Sequence, residues 1–233
     1  MTFRIGMENK VEGRSLAWVL GHPGCFAYGI DADSAFAATP RVIQDYKAWI
    51  TDHGESPWDD EKEIEVQIVE TWEVYAINED YELVEEGYEI NAWFQHDWVP
   101  LTEREIGRGI QLLTWSRADL MASVKDMTLQ ELEQSTPGER WNYAGILNHV
   151  GGAEWWYLDR LGLAFPREQI PKEPFDRLEM VRAYFLETLS KLGGSRQVVG
   201  IDGEFWSPRK MLRRAVWHER DHTGHILKLR SWE

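Results

Sequence analysis

Val216-Trp217-His218-Glu219-Arg220-Asp221-His222-Thr223-Gly224-His225-Ile226 carries three histidines at steps of four and three residues. On a helix those steps return to nearly one azimuth, so the three imidazoles project from a common face. That is how a helix presents nitrogen ligands to a metal ion. Ser207-Pro208 offers an N-cap and a first-turn proline just upstream, and the spacing predicts a helix from there through Met211, Ala215, Ile226 and Leu229 to the end.

Three more helices are legible before it. Thr102 begins a capping box with Glu105 and opens a helix to about Lys125 that carries Ile106, Ile110, Leu113, Leu120 and Val124. A second runs from near Asn142 to Leu161 and holds His149; a third fits Pro174 to Leu192, with Leu178, Val181, Phe185 and Leu189 on one stripe. Four helices with crossing connections imply an all-α four-helix bundle over residues 98–233.

Residues 1–97 read differently. Short strands are expected at 2–9 and 14–20 around Glu12-Gly13, and at Cys25 to Ile30 after the Gly21-His22-Pro23-Gly24 turn. Asp33 or Ser34 would cap a helix through about Trp49, with Ala35, Ala38, Val42, Tyr46 and Trp49 at steps of three and four; Pro40 fits if it falls in the first turn or so. After an Asp52 to Asp60 loop, Glu63-Ile64-Glu65-Val66-Gln67-Ile68 alternates strictly as a half-wet strand, and further strands are expected around Glu73 to Ile77 and Tyr88 to Phe94. The expectation is an α+β domain, an antiparallel sheet with one main helix, ending near Asp97 to Pro100.

Charge separates the same two parts. Residues 1–97 hold 21 acidic and 6 basic side chains, whereas 98–233 hold 19 of each, so the whole formal charge of -15 belongs to the first part. The acidic run between Glu55 and Glu89 reads as a solvated face or as a docking surface for a basic partner. With no basic cluster, binding to nucleic acid is not expected. The chain has neither a run of eighteen apolar residues nor an export signal, so no membrane association and a cytoplasmic location are expected. A single cysteine, Cys25, excludes an internal disulfide framework and a cysteine-rich zinc site; it reads as a small buried filler in acidic surroundings. His22, His53 and His96 stand apart from one another and read as ordinary loop or strand residues.

Any metal must therefore rest on nitrogen and oxygen. Zinc or nickel takes three protein ligands and leaves open positions where a site is reactive. His218 and His222 at i and i+4, joined by His149 from a facing helix, satisfy that spacing, and Glu219, Asp221 and Glu154 lie where they could orient an imidazole. Histidines at helical spacing are also compatible with interfacial rings paired to the surrounding acids. Trp141, Trp155, Trp156, Trp206 and Trp217, with Tyr143 and Tyr157, read as core, with some lining an apolar pocket above the site.

Trp141-Asn142-Tyr143-Ala144-Gly145-Ile146-Leu147-Asn148-His149-Val150-Gly151-Gly152-Ala153-Glu154-Trp155-Trp156, followed by the stretch Trp217 to Ile226, resembles the DinB-like (YfiT-like) four-helix-bundle family over about residues 98–233. In that family one histidine on the second helix and two on the last hold a divalent metal, usually nickel or zinc. The resemblance implies His149, His218 and His222 as ligands, with His225 as the substitute in a register that would use Asp221 and His225. It also implies a metal-dependent hydrolase or a thiol-dependent transferase acting on a small molecule, with a low-molecular-weight thiol as co-substrate, and a homodimer. No residue stands out as a general base, so no catalytic residue is assigned.

The stretch from Ala17 to Ala35, with its Pro23-Gly24-Cys25 turn and acidic helix cap, is similar to HicB-like antitoxin domains over roughly residues 1–97. That resemblance implies a non-catalytic alternative: an antitoxin-like interaction protein whose acidic first domain binds a basic partner such as a small ribonuclease. A ligand-sensing or assembly role for this domain is equally compatible with it.

Overall fold

The computed structural model describes residues 2–58, 63–135 and 137–231; the last two residues of the expected Asp52 to Asp60 loop lie outside them. The chain forms two units, Met1–Val99 with Gly200–Trp206, and Pro100–Val199 with Ser207–Glu233.

In the first unit β1 (Thr2–Val11), β2 (Arg14–Val19) and β3 (Phe26–Gly29) form an antiparallel meander. Glu12 and Gly13, between β1 and β2, both have positive φ, which a two-residue hairpin turn of the right twist requires. α1 (Ala32–Asp52) then crosses over and returns the chain as β4 (Glu65–Glu73), parallel to β1, so the sheet order is β3-β2-β1-β4. The sheet is thus mixed rather than wholly antiparallel. A helical crossover between two strands of one sheet returns the chain in the same direction, and the alternation of Glu63 to Ile68 carries no information about direction.

α1 begins at Asp31, two residues before the first expected cap: its carboxylate accepts from Ser34 N at 2.8 Å, and Ser34 Oγ accepts from Asp31 N at 3.1 Å. Pro40 lies deep inside the helix, not in its first turn. There it deprives the carbonyl of Phe36, four residues back, of its usual donor. The Thr39 hydroxyl donates to that carbonyl at 2.7 Å, so the oxygen is not left bare. Ala35, Thr39, Ile43, Tyr46 and Ile50 form the buried face. Within the sheet, the fully buried Glu8 accepts from Trp18 Nε1 and from Ala92 N, each at 2.7 Å. Cys25 is buried, its Sγ 3.8 Å from Val42 O. A smaller sheet of β5 (Tyr75–Ile77), β6 (Leu83–Val84) and β7 (Tyr88–Ile90), ordered β6-β5-β7, and a 3-10 turn at Gln95–Trp98 follow.

The second unit holds α2 (Glu103–Val124), a short α3 (Leu129–Glu133), α4 (Tyr143–Asp159), a 3-10 turn at Arg167–Gln169, and α5 (Pro174–Leu189). A hairpin of β8 (Val199–Ile201) and β9 (Glu204–Trp206), turning at the positive-φ pair Asp202-Gly203 and belonging from Gly200 on to the first unit, comes before the second unit's α6 (Pro208–Arg230) in the chain. The sequence gives no strong strand signal there, because three-residue strands are too short for an alternating pattern. Leu120, Val124, Tyr143, Ile146, Leu147, Val150, Leu178, Ile226 and Leu229 meet in one core, each side chain of this size contributing about 1.5–3 kcal/mol through burial.

The start of α2 is tied to the start of α6. Thr102 and Glu105 form the expected capping box, and Arg209 grips the same carboxylate at 2.6 and 2.9 Å. Burial opposes ionisation of Glu105, but the bonds from Arg209 and Thr102 prevail and hold its carboxyl at about 2. Among the described residues no helix is long and apolar enough to cross a membrane.

Candidate metal centre

α4 and α6 bring His149, His218 and His222 to one point. α4 is capped by Asn142, whose side chain accepts from Gly145 N at 2.8 Å; α6 is capped by Ser207, which accepts from Lys210 N at 3.1 Å, with Pro208 in its first turn. One candidate ligand atom from each of the three rings lies within 4.8 Å of the other two. His149 Nε2 and His218 Nε2 are 3.0 Å apart. Ring centroids are separated by 4.8 Å for His149 and His218, 5.0 Å for His149 and His222, and 4.5 Å for His218 and His222.

The rings are held in place. Trp141 stacks on His149 at 4.4 Å and 25°, and the Tyr157 ring meets His218 edge-on at 6.1 Å. His218 is buried, and the other two are half-buried. Burial, reinforced by neighbouring positive charge, lowers all three pKa values: His149 through burial and Arg140; His218 far down through burial, His222, His149 and Arg214; His222 to about 3 through burial, His149 and His225. All three are therefore neutral at pH 7, the protonation state a metal ligand needs. His222 Nδ1 and Asn148 Oδ1 are buried without a hydrogen-bond partner among the described residues.

His225 stands outside this group. Its Nε2 meets Glu139 Oε2 at 3.0 Å, and its ring centroid is 6.1 Å from that of His222. Asp221 is likewise not part of the trio.

Glu154 and Glu219, expected to be available to the imidazoles, are instead bound to arginines. Arg117 on α2, Glu154 on α4, Arg182 on α5 and Glu219 on α6 form a closed ring of alternating charge, one residue from each long helix. The four ion pairs measure 3.1 Å (Arg117–Glu154), 2.6 Å (Arg117–Glu219), 2.5 Å (Arg182–Glu154) and 2.7 Å (Arg182–Glu219). Ser116 Oγ also donates to Glu219, Arg117 to Leu178 O, and Arg182 to Leu113 O. Glu219 adjoins His218 in the chain, so the ring fixes the segment of α6 that bears the site. Sequence reasoning missed it, although the signal was present: Arg117, Glu154, Arg182 and Glu219 each lie four residues beyond a buried apolar residue, Leu113, Val150, Leu178 and Ala215. A charge at a core position is buried only when paired.

The indoles divide. Trp141 belongs to the histidine site, Trp206 is buried in the first unit, Trp217 is buried beneath the Arg214 guanidinium at 4.5 Å, and Trp155 and Trp156 line a separate cleft.

In this helical unit two facing helices converge three neutral imidazoles, a group with the geometry to hold a metal ion, beside a four-helix ion-pair ring. Residues 112–226, which contain all three histidines and the whole ring, match the family model of the DinB superfamily, so the second unit is DinB-like; members of that superfamily usually bind a divalent metal. No curated protein matches the chain.

Proposed function

We propose that His149, His218 and His222 hold one divalent cation, nickel or zinc, and that the bundle uses it to activate a small nucleophile. The observation that carries this is the convergence of three neutral imidazoles with a buried, partnerless His222 Nδ1 among them. Two facing Nε2 atoms at 3.0 Å form an ordinary hydrogen bond if one ring is the Nε2–H tautomer, and two donors to a cation if neither is. Three imidazoles without thiolate favour nickel or zinc over magnesium or calcium, which prefer oxygen. Such a cation acts as a Lewis acid that favours the anionic form of a water or thiol at neutral pH.

The chain's own residues set that chemistry up. Burial keeps the three imidazoles unprotonated, Trp141 fixes the plane of His149, and the Arg117–Glu154–Arg182–Glu219 ring anchors the turn that carries His218. With three protein ligands, positions remain for substrate, and we assign the reaction to metal-dependent hydrolysis or thiol-dependent group transfer on a small molecule. Protein loaded with Ni(II) or Zn(II) should turn over thiol or ester substrates in a screen, and H218A should be inactive. Equal turnover by H218A would overturn the assignment.

A second reading concerns the first unit. Its β-β-β-α-β order and the 21 acidic against 6 basic side chains of residues 1–97 favour a HicB-like module that binds a basic protein. Full-length protein should then bind a small basic ribonuclease with an affinity that falls with salt and is indifferent to EDTA. No binding at low salt would remove this reading.

A further inference from the structure

A cleft of about 1050 Å³ lies along α4, the connection that follows it and the start of α5. Trp155, Trp156 and Phe165 supply aromatic wall, and Trp155 is fixed by donating from Nε1 to Phe165 O at 2.9 Å. Of the other two arginines that line it, Arg167 is exposed on the surface, and Arg160 is paired with Asp159 at 3.0 Å and lies over the Trp156 ring at 4.9 Å.

Arg177 is different. Its stem lies across α4 where Gly151 has no side chain: a Cβ there would come within 2.9 Å of Arg177 Cγ. The neighbouring Gly152 keeps the space beside Nη1 open, with a Cβ reaching only to 3.8 Å. Nε donates to Pro171 O at 2.8 Å and Nη1 to Asn148 O at 3.1 Å, so two backbone carbonyls fix the plane of the guanidinium. Among the described residues no carboxylate pairs with Arg177 and Nη2 has no hydrogen bond, whereas Arg117, Arg182 and Arg209 in the same unit are all ion-paired. Burial without a compensating anion lowers its pKa. A half-buried, immobilised and uncompensated guanidinium beside aromatic walls presents a vacant donor to an anion.

We propose that this cleft binds a small organic anion, a carboxylate or phosphate ester on an aromatic or apolar body, with Arg177 taking the anionic group and Trp155 and Trp156 the body. The cleft is distinct from the histidine site, for its lining includes none of the three rings. The binding itself does not depend on a metal.

Isothermal titration of EDTA-dialysed full-length protein with phenylacetate, phenyl phosphate and the neutral phenylacetamide tests this. One of the two anions should bind, and phenylacetamide should bind at least about tenfold more weakly, the loss expected when one charge-assisted hydrogen bond is removed. Which anion binds more tightly separates a carboxylate ligand from a phosphate ester. R177M, which keeps the stem on Gly151, should lose at least about tenfold for the anion and show little change for the amide. The comparison of acid with amide on the unmodified protein stands even if R177M does not fold. Equal binding of acid and amide, equal binding by R177M and the parent, anion binding only after metal loading, or no anion binding below about 10 mM would each overturn the proposal.

Discussion

Replacing Arg182 with methionine should destabilise the helical unit by about 3–5 kcal/mol, the usual consequence of removing one partner from a buried ion pair. Arg182 is buried and bonds Glu154 at 2.5 Å, Glu219 at 2.7 Å and the Leu113 carbonyl. Methionine fills much of the volume, so the loss is electrostatic rather than a cavity. The ring changes from two cations and two anions to one cation and two anions, and Leu113 O loses its side-chain donor. Two charge-assisted bonds at about 1.5–3 kcal/mol each give the same magnitude. Adding Glu154→Gln restores a one-to-one charge balance with Arg117 and Glu219. The double variant should therefore be more stable than the two single changes sum to, by about 1–3 kcal/mol. Urea unfolding followed by helical circular dichroism measures all four corners of the cycle. A loss below about 1 kcal/mol for R182M, or strict additivity in the double variant, would refute the view that the ring braces the bundle.

The depressed histidine pKa values set a pH window. An unfolded histidine protonates near 6.5, while folded His222 does so only at about 3, so the unfolded state gains protons first and stability falls as pH drops below 6.5. Metal-free protein should lose urea midpoint between pH 7.5 and 5.5, and H222Q should lose less; an unchanged midpoint in the parent would contradict this. Thr39→Val removes the donor to Phe36 O beside Pro40 and should cost about 1–3 kcal/mol in unfolding of the first unit, whereas no change would mean that water serves that carbonyl equally well. Leu147→Ala should cost about 2–5 kcal/mol in the bundle core; a cost under about 1 kcal/mol would show that the core collapses onto the gap. H225A should leave divalent-cation affinity within about threefold of the parent, because that ring faces Glu139; a tenfold loss would place it among the ligands.

Much of this was legible from local signals. Helix caps at Thr102 and Ser207 and the stripes of three- and four-residue steps located the long helices, because capping and periodicity are properties of contiguous residues. The trio His149, His218 and His222 followed from spacing plus resemblance, and the geometry brings those rings together while leaving His225 with Glu139. Long-range pairing was harder to read. The parallel docking of β4 and the capture of Glu154 and Glu219 by arginines depend on partners up to about a hundred residues away, and the hairpin at Val199–Trp206 has strands too short to show an alternating pattern. Pro40 was misplaced for a related reason: its tolerance inside α1 rests on the hydroxyl of Thr39, which periodicity does not weigh. Arg177 had no sequence signal of its own, since its setting is made by the absence of side chains at Gly151 and Gly152.

The most direct measurement is a titration of EDTA-dialysed protein with Ni(II) and Zn(II), alongside H149A, H218A and H222A. The account predicts one high-affinity site per chain, with each single replacement weakening it at least about a hundredfold. Binding of similar affinity and stoichiometry in all three variants, or no binding by the parent, would contradict it.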